Sequence, residues 1–207
     1  MGFYERHIGP RLVSCVCGAS DIRAERAKLV PCAAGIVLEI GIGPGLNLPL
    51  SDPAHVSRVI GVDPHAAFLE LGQTRREAAR VPVEIRQEPA EAMQLPSGSI
   101  DTAVVTFTLC SVQDAARCLS EIRRVLRPEG RLLFLEHGLS RDTAVARWQH
   151  RLNPLWRSLA VGCNLNRPVL AALRAAGFSI QNAEEYYLPR VPKPFAFLSR
   201  GTARPTP

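Results

Sequence analysis

Lysine is nearly missing from this chain. Of its 25 basic residues only Lys28 and Lys193 are lysines, so the net charge of +6 rests on arginine. The arginines are scattered, as in Arg75, Arg76 and Arg80 or Arg123, Arg124 and Arg127, and no basic block is interleaved with aromatics. That leaves no electrostatic stripe for nucleic acid, and no nucleic-acid partner is expected. No apolar run approaches the roughly 18 to 20 residues that span a bilayer, so stable membrane insertion is not expected either. Met1 to Pro10 is polar and charged rather than a secretory signal, which points to a cytoplasmic protein. The six cysteines, Cys15, Cys17, Cys32, Cys110, Cys118 and Cys163, contain no CxxC pair and no zinc-site spacing. Cys15 and Cys17 can join Cys32 on a metal or in a disulfide. In a reducing compartment, however, partly buried free thiols are expected, with no metal site.

What is present fits one α/β domain. The chain has 207 residues, 46% of them hydrophobic and 21% charged, enough for a substantial core. From Gly35 onward apolar runs alternate with helix-like stretches, the pattern of a parallel sheet. Strands are expected at Ile36 to Ile40, Arg58 to Val62, Val83 to Arg86, Thr102 to Phe107 and Arg131 to Glu136. Helices are expected at Ala66 to Ala79, Ala115 to Leu126 and Arg167 to Ala176. Pro128-Glu129-Gly130 and Gly177 punctuate helix ends. Two late strands with no helix between them, Phe178 to Ala183 and Phe195 to Arg200, predict a terminal antiparallel hairpin. Residues 1–34 precede the sheet and form an expected helical or lid segment, with a helix within Leu12 to Val30. Residues 35–201 form the domain, and Thr202 to Pro207 reads as a flexible tail.

The strongest local signal is Leu38-Glu39-Ile40-Gly41-Ile42-Gly43-Pro44-Gly45. An apolar strand runs into three alternating glycines, which permit a tight turn and a close backbone approach to a ligand. Leu46 stands where the dinucleotide-binding pattern needs its third glycine, and Glu39 precedes the first glycine by two positions. Asp63 ends the next strand, 18 residues beyond Gly45. A carboxylate there can accept from both hydroxyls of a ribose, or cap the helix that opens at Pro64; both can hold.

The runs LEIGIGPG, VDP, PAEAMQLPSGSIDTAVV and EIRRVLRPEGRLLFLEHG resemble the motif series of class I S-adenosylmethionine-dependent methyltransferases, over about 100 residues from Leu38 to Gly138. The resemblance implies a Rossmann-like fold with a seven-stranded, mostly parallel sheet, and S-adenosylmethionine as cofactor with S-adenosylhomocysteine as product. It implies that Glu39 and the backbone of Gly41, Gly43 and Gly45 hold the methionine part, and that Asp63 binds the ribose. Pro64 and His65 would lie beside the adenine, Ala90 and Glu91 at its far edge, and Thr106 to Leu109 at the sulfonium end. Pro89 stands where many members carry an acid, leaving the adenine amino group to backbone contacts or to Glu91.

A narrower resemblance runs from Gly35 to about Gly201. Phe107-Thr108-Leu109-Cys110-Ser111-Val112, Glu136-His137-Gly138, Trp148-Gln149, Leu152-Asn153-Pro154-Leu155-Trp156 and Gly162-Cys163-Asn164-Leu165-Asn166-Arg167 look like animal methyltransferases acting on alkyl thiols and their small bacterial relatives. It implies a small-molecule thiol acceptor. A thiolate is the nucleophile, and a nearby base raises its fraction. His137, at the end of the fifth strand, is the first candidate base, with Glu136 orienting it or lining the cofactor pocket; a histidine bonded to a loop carbonyl is the plain alternative. Tyr4, His7, Tyr186 and Tyr187 are further candidates at the acceptor pocket or in packing. Trp148, Leu152 and Trp156 share a helical face that can wall the pocket or pack on the domain. Arg167 is a candidate anchor for an anionic substrate or the holder of its turn. Two other functions remain open: N-methylation of a phospholipid or small amine, and a non-catalytic S-adenosylmethionine-binding partner protein.

Overall fold

A computed structural model describes residues 4–206; Met1 to Phe3 and Pro207 lie outside the described residues. After a π-helical turn at Tyr4–Ile8 come helices α1 (Gly9–Cys17) and α2 (Ser20–Leu29), then strand β1 (Gly35–Ile40). Next are β2 (Val56–Val62), α3 (Ala66–Leu71), α4 (Gln73–Glu77), β3 (Val83–Arg86) and β4 (Ile100–Thr106). The chain continues through α5 (Ala115–Val125), β5 (Leu126–His137), α6 (Thr143–Leu159) and α7 (Val169–Ala175). It closes with β6 (Phe178–Tyr187), α8 (Lys193–Ala196) and β7 (Phe197–Pro205).

The seven strands pair in the order β3-β2-β1-β4-β5-β7-β6, parallel up to β5 and antiparallel through β7 and β6. This is the seven-stranded, mostly parallel sheet with a terminal antiparallel hairpin that the sequence predicts. Successive side chains point to opposite faces, so each central strand feeds two cores. Leu38, Ile40, Ala103, Val105, Leu132 and Phe134 face one side, where Cys118, Leu119, Ile122 and Val125 of α5 and Leu173 of α7 cover them. Val37, Val59, Val104, Leu133 and Leu135 face the other, under Leu29 of α2 and Leu69 of α3. The chain reverses direction across the sheet between β1 and β4, and a crevice outside the carboxyl ends of such strands is where α/β sheets take ligands.

Several boundaries differ from expectation; Phe195 and Ala196, expected to open the last strand, lie in α8. Within residues 66–79 there are two short helices, parted at Gly72. A Cβ on Gly72 would stand 2.7 Å from the Gly43 carbonyl oxygen, so the missing side chain lets this point of the chain sit against the glycine loop. The segment Pro128-Glu129-Gly130 lies within β5, where the pairing shifts from Ile100–Leu126 to Thr102–Arg131. β6 runs on to Tyr187 because β7 pairs with it along its length. The expected tail is the end of β7: Ala203 is fully buried between Leu132 of β5 and Ile180 of β6, and Pro205 pairs with Phe178. Among the described residues no helix is long and apolar enough to cross a membrane.

Deleting Thr202 to Pro207 is expected to lower unfolding stability by roughly 2 kcal/mol or more, since it strips backbone pairing and a buried position from a central strand. Urea denaturation measures this; an unchanged midpoint would mean that the segment is not part of the folded sheet.

Candidate functional site

At the carboxyl ends of β1, β2 and β4 opens a cavity of about 600 Å³, within the usual size for a cofactor site. Its floor is the glycine loop. Gly41 and Gly43 have φ of +66° and +44°, the left-handed region where a side chain is strained. A Cβ on Gly41 would also meet the Thr108 hydroxyl at 2.4 Å. The loop is pinned by the Gly41 and Ile42 N–H groups donating to the Val62 carbonyl at 2.8 and 3.2 Å.

Asp63, at the end of β2, faces this loop. Its Oδ2 accepts from the Gly43 N–H at 3.1 Å and its Oδ1 from the His65 N–H at 2.8 Å. Burial pushes its carboxyl up, against the downward pull of the His65 and Gly43 N–H groups. Each oxygen keeps a lone pair, so the carboxylate caps its own turn and can still accept from a diol. Pro64 and His65 form the rim, with Phe68 of α3 beside them, and Pro89, Ala90, Glu91 and Ala92 form the opposite edge. Glu91 is committed to the start of α5: its Oε1 accepts from the Gln113 N–H at 2.9 Å and the Asp114 N–H at 3.2 Å.

Under the loop lies a buried polar cluster that the sequence does not announce. Arg26 of α2 donates to Asn47 Oδ1 at 2.8 Å and to the Thr106 hydroxyl. Asn47 in turn donates to Glu39 at 2.9 Å and to Thr106 at 3.0 Å. Glu39, Arg26 and Thr106 all line the cavity. Burial pushes the Glu39 carboxyl up to about 7, outweighing the pull of Arg26 and Asn47, and burial lowers the Arg26 guanidinium. Arg26 Nε is buried without a hydrogen-bond partner. A carboxylate and a guanidinium are the counterparts of an α-amino acid's ammonium and carboxylate. Arg26 and Asn47 escape sequence reading because a lone arginine in an N-terminal helix and an asparagine two positions past a glycine loop carry no pattern.

The remaining wall comes from α1 (Val13, Ser14, Cys17), the loop after β4 (Phe107, Thr108, Ser111) and the two residues that follow α6 (Ala160, Val161). Three residues expected at the reacting end act behind this wall. Glu136 is fully buried, and its Oε1 accepts from the N–H groups of Thr108 at 2.7 Å and Leu109 at 3.1 Å, so it shapes the loop rather than lining the cavity. Leu109 is itself buried behind the wall. His137 does not line the cavity; its Nε2 lies 2.8 Å from Cys163 Sγ, an arrangement fixed by its place at the end of β5, beside the turn that carries Cys163. Burial pulls the His137 imidazole down, but the Cys110 thiol and Glu136 raise it by more.

Gly45 also stands outside the lining, turning the chain with φ of +69°. Arg167 donates to the carbonyls of Leu109 and Val112, so it holds the loop rather than facing a ligand. None of the five expected acceptor residues lines the cavity. The Tyr4 hydroxyl donates to the Leu159 carbonyl, and His7 is exposed. Trp148 is 55% exposed, Trp156 packs on Phe195 with ring centroids 4.7 Å apart, and Tyr186 donates to Glu25. Helical spacing places the two tryptophans on α6 but cannot say that only Ala160 and Val161, just past the end of α6, reach the cavity. Tyr187 packs against Phe197. Cys15 and Cys32 are exposed free thiols, while Cys17 joins the cavity wall.

Fold and site together define an α/β protein with an adenosine-cofactor cavity at its switch point. A family model described as a methyltransferase domain matches residues 38–134. The chain is 36% identical over 170 residues to the human thiol S-methyltransferase TMT1B, covering 80% of this chain but 66%, just under two thirds, of that protein. It is 33% identical over 146 residues to a phosphatidylethanolamine N-methyltransferase of Cereibacter sphaeroides, covering 66% of this chain and 70% of that one. Its fold is similar to the YcgJ protein of a Bacillus, with a TM-score of 0.69 at 17% identity over 89% of this chain and 98% of the other. The chain belongs to the class I S-adenosylmethionine-dependent methyltransferases, and S-adenosylmethionine is its cofactor.

Asp63→Ala is expected to weaken S-adenosylmethionine binding by at least about tenfold, since a bound diol loses a charged acceptor; unchanged calorimetric affinity would remove Asp63 from the ribose. A cofactor ammonium would favour ionised Glu39, so binding would release a proton; affinity should rise as pH climbs towards about 7 and level off above it. In Glu39→Gln that rise should vanish; a slope that persists would place the titrating group elsewhere.

Proposed function

We propose that this chain transfers the methyl group of S-adenosylmethionine to the thiol of a small, apolar acceptor. The observation that carries this reading is the apolar wall built by Val13, Phe107, Ala160 and Val161 around the same cavity that holds Asp63, Glu39 and Arg26. The 36% identity to a thiol S-methyltransferase across 80% of the chain supports it.

The cofactor supplies an electrophilic methyl group on a positively charged sulfonium. In this reading the Asp63 carboxylate takes the ribose hydroxyls, Glu39 the ammonium and Arg26 the carboxylate of the methionine part. Pro64, His65, Ala90 and Glu91 enclose the adenine, and Gly41 and Gly43 let the backbone close on the ligand. The acceptor sulfur forms its bond to the methyl carbon as the carbon–sulfonium bond breaks, and the thiol proton passes to solvent. A thiol with a pKa of about 8.5 is partly ionised at neutral pH, so positioning and exclusion of water by the apolar wall supply the acceleration. His137, bonded to Cys163 behind the wall, has no part in this step.

A second reading, N-methylation of a phospholipid or small amine, has its own observation. Ile8, Leu12 and Val16 form an exposed apolar stripe along the N-terminal helix, and Trp148, Leu155 and Leu159 are exposed on α6. Arg11, Arg147, Arg151 and Arg157 accompany them, and neither α1 nor α6 contains an acid. Such helices suit an anionic lipid surface.

Incubation with methyl-labelled cofactor and, in parallel, alkyl and aryl thiols, small amines and phosphatidylethanolamine vesicles tests both. Label is expected in the thioether. Transfer only to lipid or amine would replace the first reading with the second. Tight cofactor binding with no transfer to any of them would leave a binding protein.

A further inference from the structure

Three side chains of the loops that frame the cavity meet at one point that methyl transfer does not use. Cys110 lies on the loop after β4, His137 ends β5, and Cys163 sits in the turn between α6 and α7. Cys163 Sγ is 2.8 Å from His137 Nε2 and 3.3 Å from Cys110 Sγ, and all three donor atoms lie within 4.8 Å of one another. Both cysteines are buried and His137 half-buried. We propose that Cys110, His137 and Cys163 form a binding site for a thiophilic divalent cation of the zinc type.

Two thiolates and an imidazole are the donor set that such an ion selects. With Zn–S near 2.3 Å and Zn–N near 2.0 Å, tetrahedral donors stand roughly 3.5 to 3.8 Å apart, so shifts of under about 1 Å seat the ion. The framework already holds the donors in place. The Asn164 N–H and the Asn164 side-chain amide both donate to the Cys110 carbonyl at 2.9 Å, locking the two cysteine loops together. Glu136 fixes the loop of Cys110 from the residue next to His137. Two S–H bonds break as two S–metal bonds form, and both protons go to bulk solvent. A dication, two thiolates and a neutral imidazole then sum to zero charge, which avoids burying an uncompensated ion. Three protein donors leave the fourth position to an exogenous ligand such as water, and the Ser111 hydroxyl, 3.3 Å from Cys110 Sγ, stands between the cluster and the cavity.

The test uses the full chain, reduced, stripped by chelator and kept under inert gas, titrated with Co²⁺ and then Zn²⁺. One Co²⁺ per chain is expected, with a near-ultraviolet thiolate-to-cobalt charge-transfer band that Zn²⁺ abolishes. Cys163→Ser and, separately, His137→Ala should weaken binding by at least about tenfold, as loss of a metal partner does. A Cys15→Ser/Cys32→Ser double variant should bind as the unaltered chain does. Calorimetric cofactor binding shows whether each variant is folded. If Cys163→Ser does not fold, alkylation of the unaltered chain decides: Zn²⁺ should shield Cys110 and Cys163 from iodoacetamide. No charge-transfer band, a band that survives Cys163→Ser, or no shielding would overturn the site. So would formation of a Cys110–Cys163 disulfide in air by a chain that takes up no Co²⁺ when reduced.

Discussion

Much of the site hangs on a guanidinium almost wholly buried at the cavity wall. Arg26 reaches from α2 into the end of the sheet and is held by Asn47 and Thr106, beside Glu39. A charge removed from water is costly unless donors and acceptors replace its hydration, and here the replacement is incomplete: Arg26 Nε has no partner. Glu39 shows the same tension from the opposite side, its carboxyl driven up to about 7 by burial. Glu39 and Arg26 thus bring one carboxyl and one guanidinium to the same cavity wall. The arrangement also ties α2 to the sheet, which brings α1 and its Val13, Ser14 and Cys17 over the cavity.

The opposite wall is organised by hydrogen bonds to backbone. After β4 the chain must turn sharply, and Phe107 takes a positive φ of 55°. Glu136 collects the N–H groups of Thr108 and Leu109, Arg167 holds the carbonyls of Leu109 and Val112, and Asn164 holds that of Cys110. These side chains satisfy groups that a turn otherwise leaves unpaired in the interior. They explain why short polar motifs recur at the ends of β5 and before α7: the motifs form a scaffold for a loop, and the cavity sees only the loop's other face. The Cys110–His137–Cys163 cluster is a product of the same convergence.

Legibility in the sequence followed the range of the physics. Apolar alternation and glycine punctuation are local, so the strand order of events along the chain, the glycine loop and Asp63 at the end of β2 could be read directly. Boundaries set by partners could not. β7 reaches Pro205 because β5 and β6 both pair with it, and no residue from Thr202 onward announces that. Gly72, where two helices part, leaves no room for a side chain because the Gly43 carbonyl lies against it. Trp148 and Trp156 share a helix as their spacing says, yet the direction in which α6 lies on the domain turns both away from the cavity.

By itself the sequence determined the fold class and the glycine loop, because each rests on residues near in the chain, and the motif series from Leu38 to Gly138 implied the cofactor by resemblance. Tertiary structure decided the rest. It placed Arg26 and Asn47 beside Glu39, and it put His137 against two cysteines rather than in the cavity. It made Glu136 and Arg167 supports for a loop. These assignments depend on which faces of separately formed elements meet when two cores close on one sheet, and that meeting is settled by packing across the whole domain.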